Sequence, residues 1–238
     1  MNKINFKSGI IDGIPIALGY LAVSFGFGIM AVTSGLLWYE ALFISMFNLT
    51  SAGQLAAVDV FAVGGSLAEL AATQLTINSR YALMSVSLSQ RLDKNVRMRD
   101  RLIIGFANTD EIFAVACGKT DALSREYLFG LAALPYIGWS TGTLLGALAG
   151  AVLPELIVTA LSVSLYAMFI AIIVPDAKKE TKVLLSVLTA VALSCMFTYV
   201  PVLKEISSGF SIVISSVLIS GLFAIICPID DGEVSHND

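Results

Sequence analysis

The chain has 238 residues, of which 57% are hydrophobic before its 19 glycines are counted and only 13% are charged. A soluble domain carries about 45–50% apolar residues with glycine included and about 25% charged residues, so a water-soluble fold is excluded. The net charge of −4 comes mostly from Asp230, Asp231, Glu233 and Asp238, read as a solvated, disordered tail over 229–238, and no basic tract argues for nucleic acid.

Uncharged runs extend over 13–39, 41–58, 127–154, 156–175, 183–203 and 206–229. A bilayer core needs about 20 apolar residues per helix, and only 41–58 falls short. The apolar residues go all the way round each run, so these helices have no water-facing side. Membrane β-barrels are excluded, because their strands alternate in segments of about 10 residues. The expected fold is all-α: one polytopic transmembrane domain over 1–238. Full spans are predicted at 13–38, 66–90, 127–153, 156–175, 183–202 and 208–227. Lys3 and Lys7 precede the first apolar stretch, but Gly13 to Tyr39 is far longer than the ~7–15 residues of a secretory signal, so it is read as a retained helix. Two further segments, 41–58 and 102–116, are apolar but short or unusually polar.

Positive charge in short loops sets orientation. Arg91, Lys94, Arg97, Arg99 and Arg101 lie in the 91–101 loop, three lysines in 176–182, Lys119 and Arg125 in 117–126, and Lys3 and Lys7 at the start. These segments are expected on the cytoplasmic side. If 41–58 and 102–116 both crossed fully, the start of the chain and the 91–101 loop would lie on opposite sides. The conflict vanishes if each segment dips in and returns. Non-helical backbone at membrane depth survives only beside protein or a water-filled cavity, so both segments are predicted to line a cavity.

In a bilayer the polar residues are the informative ones, because a charge at its centre costs at least about 2.5–3.5 kcal/mol. Asn48, Ser51 and Gln54 recur at three-residue spacing, followed by Asp59, and Ser51-Ala52-Gly53 is expected to break the helix. An opened helix terminus there suits a carboxylate, which makes Ser51, Gly53 and Gln54 candidate substrate ligands; a polar contact between helices is the other reading. On the next helix Glu69, Thr73, Thr76 and Arg80 form one stripe, and Gln74, Asn78, Tyr81 and Ser85 another. Arg80 either snorkels to the surface or pairs an acid or a substrate carboxylate. Asn108-Thr109-Asp110-Glu111 stands mid-segment in 102–116. Two adjacent carboxyl groups out of water do not both ionise easily. Asp110 and Glu111 are therefore candidate proton carriers, and Asp110 or Asn78 a candidate ammonium ligand; wet loop acids are the alternative. Phe25, Phe27 and Phe113 could surround an aliphatic side chain.

Gly138, Gly142, Gly146 and Gly150 recur every four residues and give one helix face on which another backbone approaches closely. The neighbour is a helix of this chain or a partner subunit. Gly19, Ala22 and Gly26 make a weaker stripe. Cys117, Cys195 and Cys227 are odd in number, without metal-ligand spacing, and are read as buried small hydrophobes. The only histidine, His236, lies in the tail, which leaves no His-based triad or metal site. Gly118-Lys119-Thr120 lacks the first glycine of a phosphate loop, since position 113 is Phe113. No His-Glu-x-x-His pattern occurs. No enzyme activity, metal or cofactor is expected.

The clusters resemble the AzlC-type large subunit of bacterial branched-chain amino acid exporters. The resemblance rests on Gly9–Gly28 (GIIDGIPIALGYLAVSFGFG), Leu49–Val58 (LTSAGQLAAV), Leu75–Ser89 (LTINSRYALMSVSLS) and Asn108–Ala114 (NTDEIFA), in the family's order and spacing, and covers residues 8–228. It implies an exporter of leucine, isoleucine, valine or analogues in the bacterial cytoplasmic membrane, and the candidate proton carriers Asp110 and Glu111 add the expectation of proton coupling. It also implies a small hydrophobic AzlD-type membrane subunit as partner. A non-transporting assembly subunit and an exporter of another small aliphatic solute are the competing readings.

Overall fold

A computed structural model describes residues 5–150, 154, 156, 170, 173–175 and 177–227. Most of the expected 156–175 span, Lys3 and the acidic tail 229–238 lie outside the described residues. Among the described residues the structure is helical, and its only β feature is an isolated bridge between Leu92 and Leu123.

In chain order the helices are α1 Phe6–Thr33, α2 Trp38–Phe47, α3 Ser51–Ala62, α4 Leu67–Gln90, α5 Met98–Phe106, α6 Asp110–Cys117, α7 Arg125–Gly150, α8 Thr181–Tyr199 and α9 Ser208–Ile226. Of these, α1, α7, α8 and α9 are long and apolar enough to cross a membrane. Asn5 starts α1 with a capping box: its side chain accepts from the Ser8 N–H at 3.0 Å, and Ser8 Oγ accepts from the Asn5 N–H at 3.0 Å. The all-apolar expectation fits α8, on which no described residue is fully buried. Cys195 on α8 is likewise exposed, while Cys117 and Cys227 are half-buried, so none of the three is the core hydrophobe expected. A free thiol on a lipid-exposed face carries no desolvation penalty, and nothing there requires it to be inside.

The chain divides into two compact units, Met1–Val58 with Ile77–Ala167, and Asp59–Thr76 with Met168–Asp238. The first is built on α1 and α7. A Cβ on Gly9 would strike the Tyr127 carbonyl; on Gly13, Leu131 O at 2.7 Å; on Gly138, Ala17 O at 2.6 Å; on Gly146, the Phe25 carbonyl; and on Gly150, Val32 Cγ2 at 2.8 Å. The partner numbers rise together, so α1 and α7 run parallel. Glycines on both helices, Gly130 and Gly28 among them, bring the two backbones into contact. The glycine stripe of α7 therefore faces α1 of the same chain. Gly19 in the weaker stripe has nothing within 4 Å of its built Cβ.

In the second unit, the first turn of α4 and the first turn of α9 lie together: the Gly209 N–H donates to Glu69 Oε1 at 3.0 Å.

Candidate functional site

Within the first unit three basic segments meet at one end. The 91–101 and 117–126 loops are tied by Asp93 N–H to Leu123 O and Leu123 N–H to Arg91 O, both 2.9 Å. The Arg91 guanidinium donates to the Cys117 and Lys119 carbonyls at 2.6 and 3.0 Å. Arg125 reaches Asp100 at 3.7 Å. The start of α1 joins them: Asp12 pairs with Lys119 and accepts from the Tyr127 hydroxyl, both at 2.8 Å.

This end fixes the path of 98–117. Its two ends lie together, and between them the chain enters as α5 and returns as α6. At nine and eight residues the two helices are only ~12–14 Å long, at about 1.5 Å per residue. The segment is a helical hairpin that starts and finishes at the same end of the first unit. The turn is Ala107-Asn108-Thr109: Thr109 is extended at φ −85° and ψ 170°, and its carbonyl starts α6 by accepting the Phe113 N–H at 2.8 Å.

The segment 38–62 does the same from the opposite end of α1 and α7. Ala41 packs with Phe27, Ala31 and Ala147. Further along, Ser45 meets Thr143 at 2.6 Å, and the Tyr136 hydroxyl donates to Met46 O at 3.3 Å. The pairings descend α7 as α2 advances, so α2 is antiparallel to it. After the break α3 climbs back, and Val58 rejoins the Ala41 cluster. The break sits at Asn48-Leu49-Thr50 rather than at Ser51-Ala52-Gly53, which forms the first turn of α3. Asn48 causes it: its Oδ1 accepts from Thr50 N–H at 3.1 Å and Thr50 Oγ1 at 2.7 Å, a local turn that competes with the helix.

The two hairpins converge around Tyr20 of α1 and Trp139 of α7, whose rings meet edge-on at 5.1 Å. Leu49 from one break and Ala107 and Ile112 from the other share their cluster. The Trp139 indole N–H donates to Gln54 Oε1 at 3.0 Å, and Gln54 Nε2 donates to Ser45 Oγ at 2.8 Å. An indole only donates, so the amide orientation is fixed. Gln54 is fully buried and holds α2, α3 and α7 together through the Ser45–Thr143 contact. On the other side, Tyr20 OH pairs with Thr109 Oγ1 at 2.6 Å and Glu111 Oε2 at 2.5 Å. The hydroxyl has one proton, so it donates to the carboxylate and accepts from Thr109.

Asp110 opens α6 and forms an ion pair with Arg80 of α4, 2.8 Å from Nη2 to Oδ2. Their side chains are 45% and 51% exposed, so the pair is reachable. Arg80 also lies over the Tyr81 ring, 4.9 Å from its centroid. Asn108, 2% exposed, donates to Ser85 Oγ at 3.3 Å and leaves Oδ1 without a partner among the described residues. Beside this break a cavity of about 250 Å³ opens between α5, α6 and α7, lined by Ile104, Ala107, Ile112, Leu128, Ala132 and Tyr136.

Of the predicted site residues, Asp110, Glu111 and Gln54 gather around the two breaks. Ser51 and Gly53 stand in the first turn of α3, and Asn78 is two residues before Arg80 on α4. Phe27 is buried in the Ala41 cluster and Phe113 packs against the Tyr20 cluster. Sequence reasoning missed Tyr20, Trp139, Ser45 and Thr143. Single aromatics and hydroxyls in apolar runs are ordinary, and only their partners, 85 to 98 residues away, mark these.

A family model described as AzlC protein matches residues 15–153. The chain is 31% identical over 175 residues to an uncharacterized membrane protein of Archaeoglobus fulgidus, covering 73% of this chain and 76% of that one. It is 30% identical over 149 residues to the inner membrane protein YgaZ of Escherichia coli, covering 61% of each. An uncharacterized membrane protein of Helicobacter pylori is 30% identical over 148 residues, covering 61% of this chain and 64% of its own length. No solved structure matches. The match spans both hairpins and the α1–α7 pair, and the chain is a membrane protein of the AzlC family.

Proposed function

We propose that the protein is the transporting subunit of a secondary exporter of branched-chain amino acids, driven by the proton gradient across the bacterial cytoplasmic membrane. We further propose that it works with a small hydrophobic AzlD-type subunit. The observation that carries this reading is the reachable Arg80–Asp110 pair at the start of α6, in a hairpin whose other residues, Ile104, Ala107 and Ile112, line an apolar cavity. A zwitterion inserted there gives its carboxylate to Arg80 and its ammonium to Asp110, replacing one internal ion pair by two. An aliphatic side chain then fills the cavity at Ile104, Ala107, Ile112 and Leu128. Carboxylate recognition moves from Gln54, whose amide is already engaged, to Arg80, with Ser51, Gly53 and Asn78 as further ligands. Glu111, bonded to Tyr20, and Asp110 are the groups that take up and release the proton.

The test is efflux of labelled leucine from proteoliposomes holding this chain, the small subunit, or both. Together they are expected to drive efflux down an imposed pH gradient, and Asp110→Asn to abolish it while protein yield is kept. If the small subunit alone carries leucine and this chain adds only assembly, the reading fails. Normal gradient-driven efflux by Asp110→Asn would remove that residue from both of its roles.

A further inference from the structure

In the second unit one acidic side chain is buried among the described residues: Glu69, 3% exposed, in the first turn of α4. Its surroundings are shaped to admit it. A Cβ on Gly209 would lie 2.6 Å from Glu69 Oε1, and one on Gly65 would lie 2.9 Å from Oε2. Each carboxylate oxygen thus rests against a glycine. Oε1 accepts the Gly209 N–H at 3.0 Å and so caps α9 from 140 residues away. The N-cap residue itself, Ser207, makes no side-chain cap bond, and its hydroxyl has no partner among the described residues.

Capping accounts for Oε1 and leaves the rest unexplained. No donor to Oε2 and no ion pair to Glu69 occurs among the described residues. Thr73, one turn along α4, is fully buried, and its Oγ1 also lacks a partner. That Oγ1 faces the same spot: it lies 2.8 Å from the built Gly209 Cβ, beside Oε1. A buried polar group left unsatisfied costs about 1–3 kcal/mol, which applies to the Thr73 hydroxyl. The other charged groups of this region are Asp59 on α3 and Lys204 and Glu205 on the turn before α9, and all three are exposed. Two are acids, and the lysine pairs with none of the acids among the described residues.

We propose that Glu69 and the Thr73 hydroxyl form a buried site for one small monovalent cation, a proton or a sodium ion. A proton neutralises the buried carboxylate, and a sodium ion takes carboxylate and hydroxyl oxygens directly, Thr73 Oγ1 being beside Oε1. If the transport reading holds, this is a second ion site besides Asp110 and Glu111, on the same helix as Arg80.

The site is tested without any transport assay. Dicyclohexylcarbodiimide couples to protonated carboxyl groups in apolar surroundings, and mass spectrometry locates the adduct. In the purified full chain, Glu69 is expected to be labelled, with labelling falling as pH rises. If sodium is the ion, labelling also falls when sodium chloride replaces choline chloride at fixed pH; indifference to sodium assigns the proton. Thr73→Val is expected to shift that pH or sodium dependence, and Glu69→Gln, which keeps the volume and the cap acceptor, to fold and lose the adduct. No labelling at Glu69 at any pH, or labelling that responds to neither pH nor sodium, leaves a structural cap only and overturns the proposal. Loss of leucine efflux in Glu69→Gln with ion-sensitive labelling of the wild type links the site to transport. Ion-sensitive labelling with no efflux by the wild type retains the site and rejects the transport reading.

Discussion

Gly138→Ala puts one methyl group between α1 and α7 where the structure leaves no room for it. Its Cβ would lie 2.6 Å from Ala17 O and 3.3 Å from both Ala17 C and Cα, all backbone atoms that cannot rotate away. Ordinary contact begins near 3.4 Å, so the helices must part locally by roughly 0.8 Å. A gap of that order forfeits about a quarter to a half of each neighbouring contact's attraction, and overfilling a packed core costs about 1–3 kcal/mol. For a chain of this size, at about 2–4 °C per kcal/mol, the unfolding midpoint falls by roughly 2–12 °C. Gly19→Ala supplies the internal control. Nothing lies within 4 Å of its Cβ, and alanine is favoured over glycine in a helix interior by about 0.5–1 kcal/mol, so the midpoint rises. The assay is thermal unfolding of detergent-purified protein, followed by the monodisperse fraction on gel filtration. A Gly138→Ala protein as stable as wild type, or less harmed than Gly19→Ala, refutes the close parallel packing of α1 and α7.

Trp139→Phe keeps the ring beside Tyr20 but removes the donor to Gln54 Oε1; leaving that buried oxygen unsatisfied should cost about 1–3 kcal/mol of stability, and an unchanged midpoint would mean the amide is held some other way. Exchanging the charges, Arg80→Asp with Asp110→Arg, restores the ion pair that either single change breaks; folding is expected to recover while leucine efflux does not, and recovery of efflux would show that only the pair, not its direction, matters. Single cysteines at Lys94 and Lys119 should be modified by membrane-impermeant thiol reagents from one side of the membrane, and a cysteine at Leu37 from the other, each in a background lacking the native thiols. Opposite accessibility of Lys94 and Lys119 would contradict the re-entrant path of 98–117.

Much of this was legible in the chain because bilayers punish exceptions. The spans α1, α7, α8 and α9 follow from uncharged length, and the hairpin path of 98–117 agrees with loop charge: five basic residues at 91–101 and two at 117–126 share a side when 102–116 turns back. The position of the first break was not legible. Ser51-Ala52-Gly53 is small and flexible, yet flexibility permits a break without causing one. Asn48 causes it by offering Thr50 an acceptor that the helix would otherwise withhold. The partner of the glycine stripe was also hidden: spacing marks a face, and only the ascending pairs from Gly9 to Gly150 show that α1 covers it.

The hairpins put demands on their surroundings that single spans do not. A full transmembrane helix satisfies its own backbone along its length and leaves its ends at the interfaces. Each break leaves N–H and C=O groups outside the helix ladder, which protein or a water-filled cavity must answer. The first meets this locally, through the Asn48 turn and the Gln54–Trp139 bond behind it. The second does not. Thr109 spends its hydroxyl on Tyr20 rather than on capping α6, Asn108 keeps an unanswered oxygen, and Asp110 and Glu111 put two carboxyl groups at the helix start. Negative groups at a helix N-terminus are favoured by its dipole, but here Asp110 is bound by Arg80 and Glu111 by Tyr20. Both restraints reach across from other helices, α4 and α1. A movement of either helix therefore changes which charges face the tip of α5 and α6, which is the property a site needs if it is to bind on one side of a membrane and release on the other.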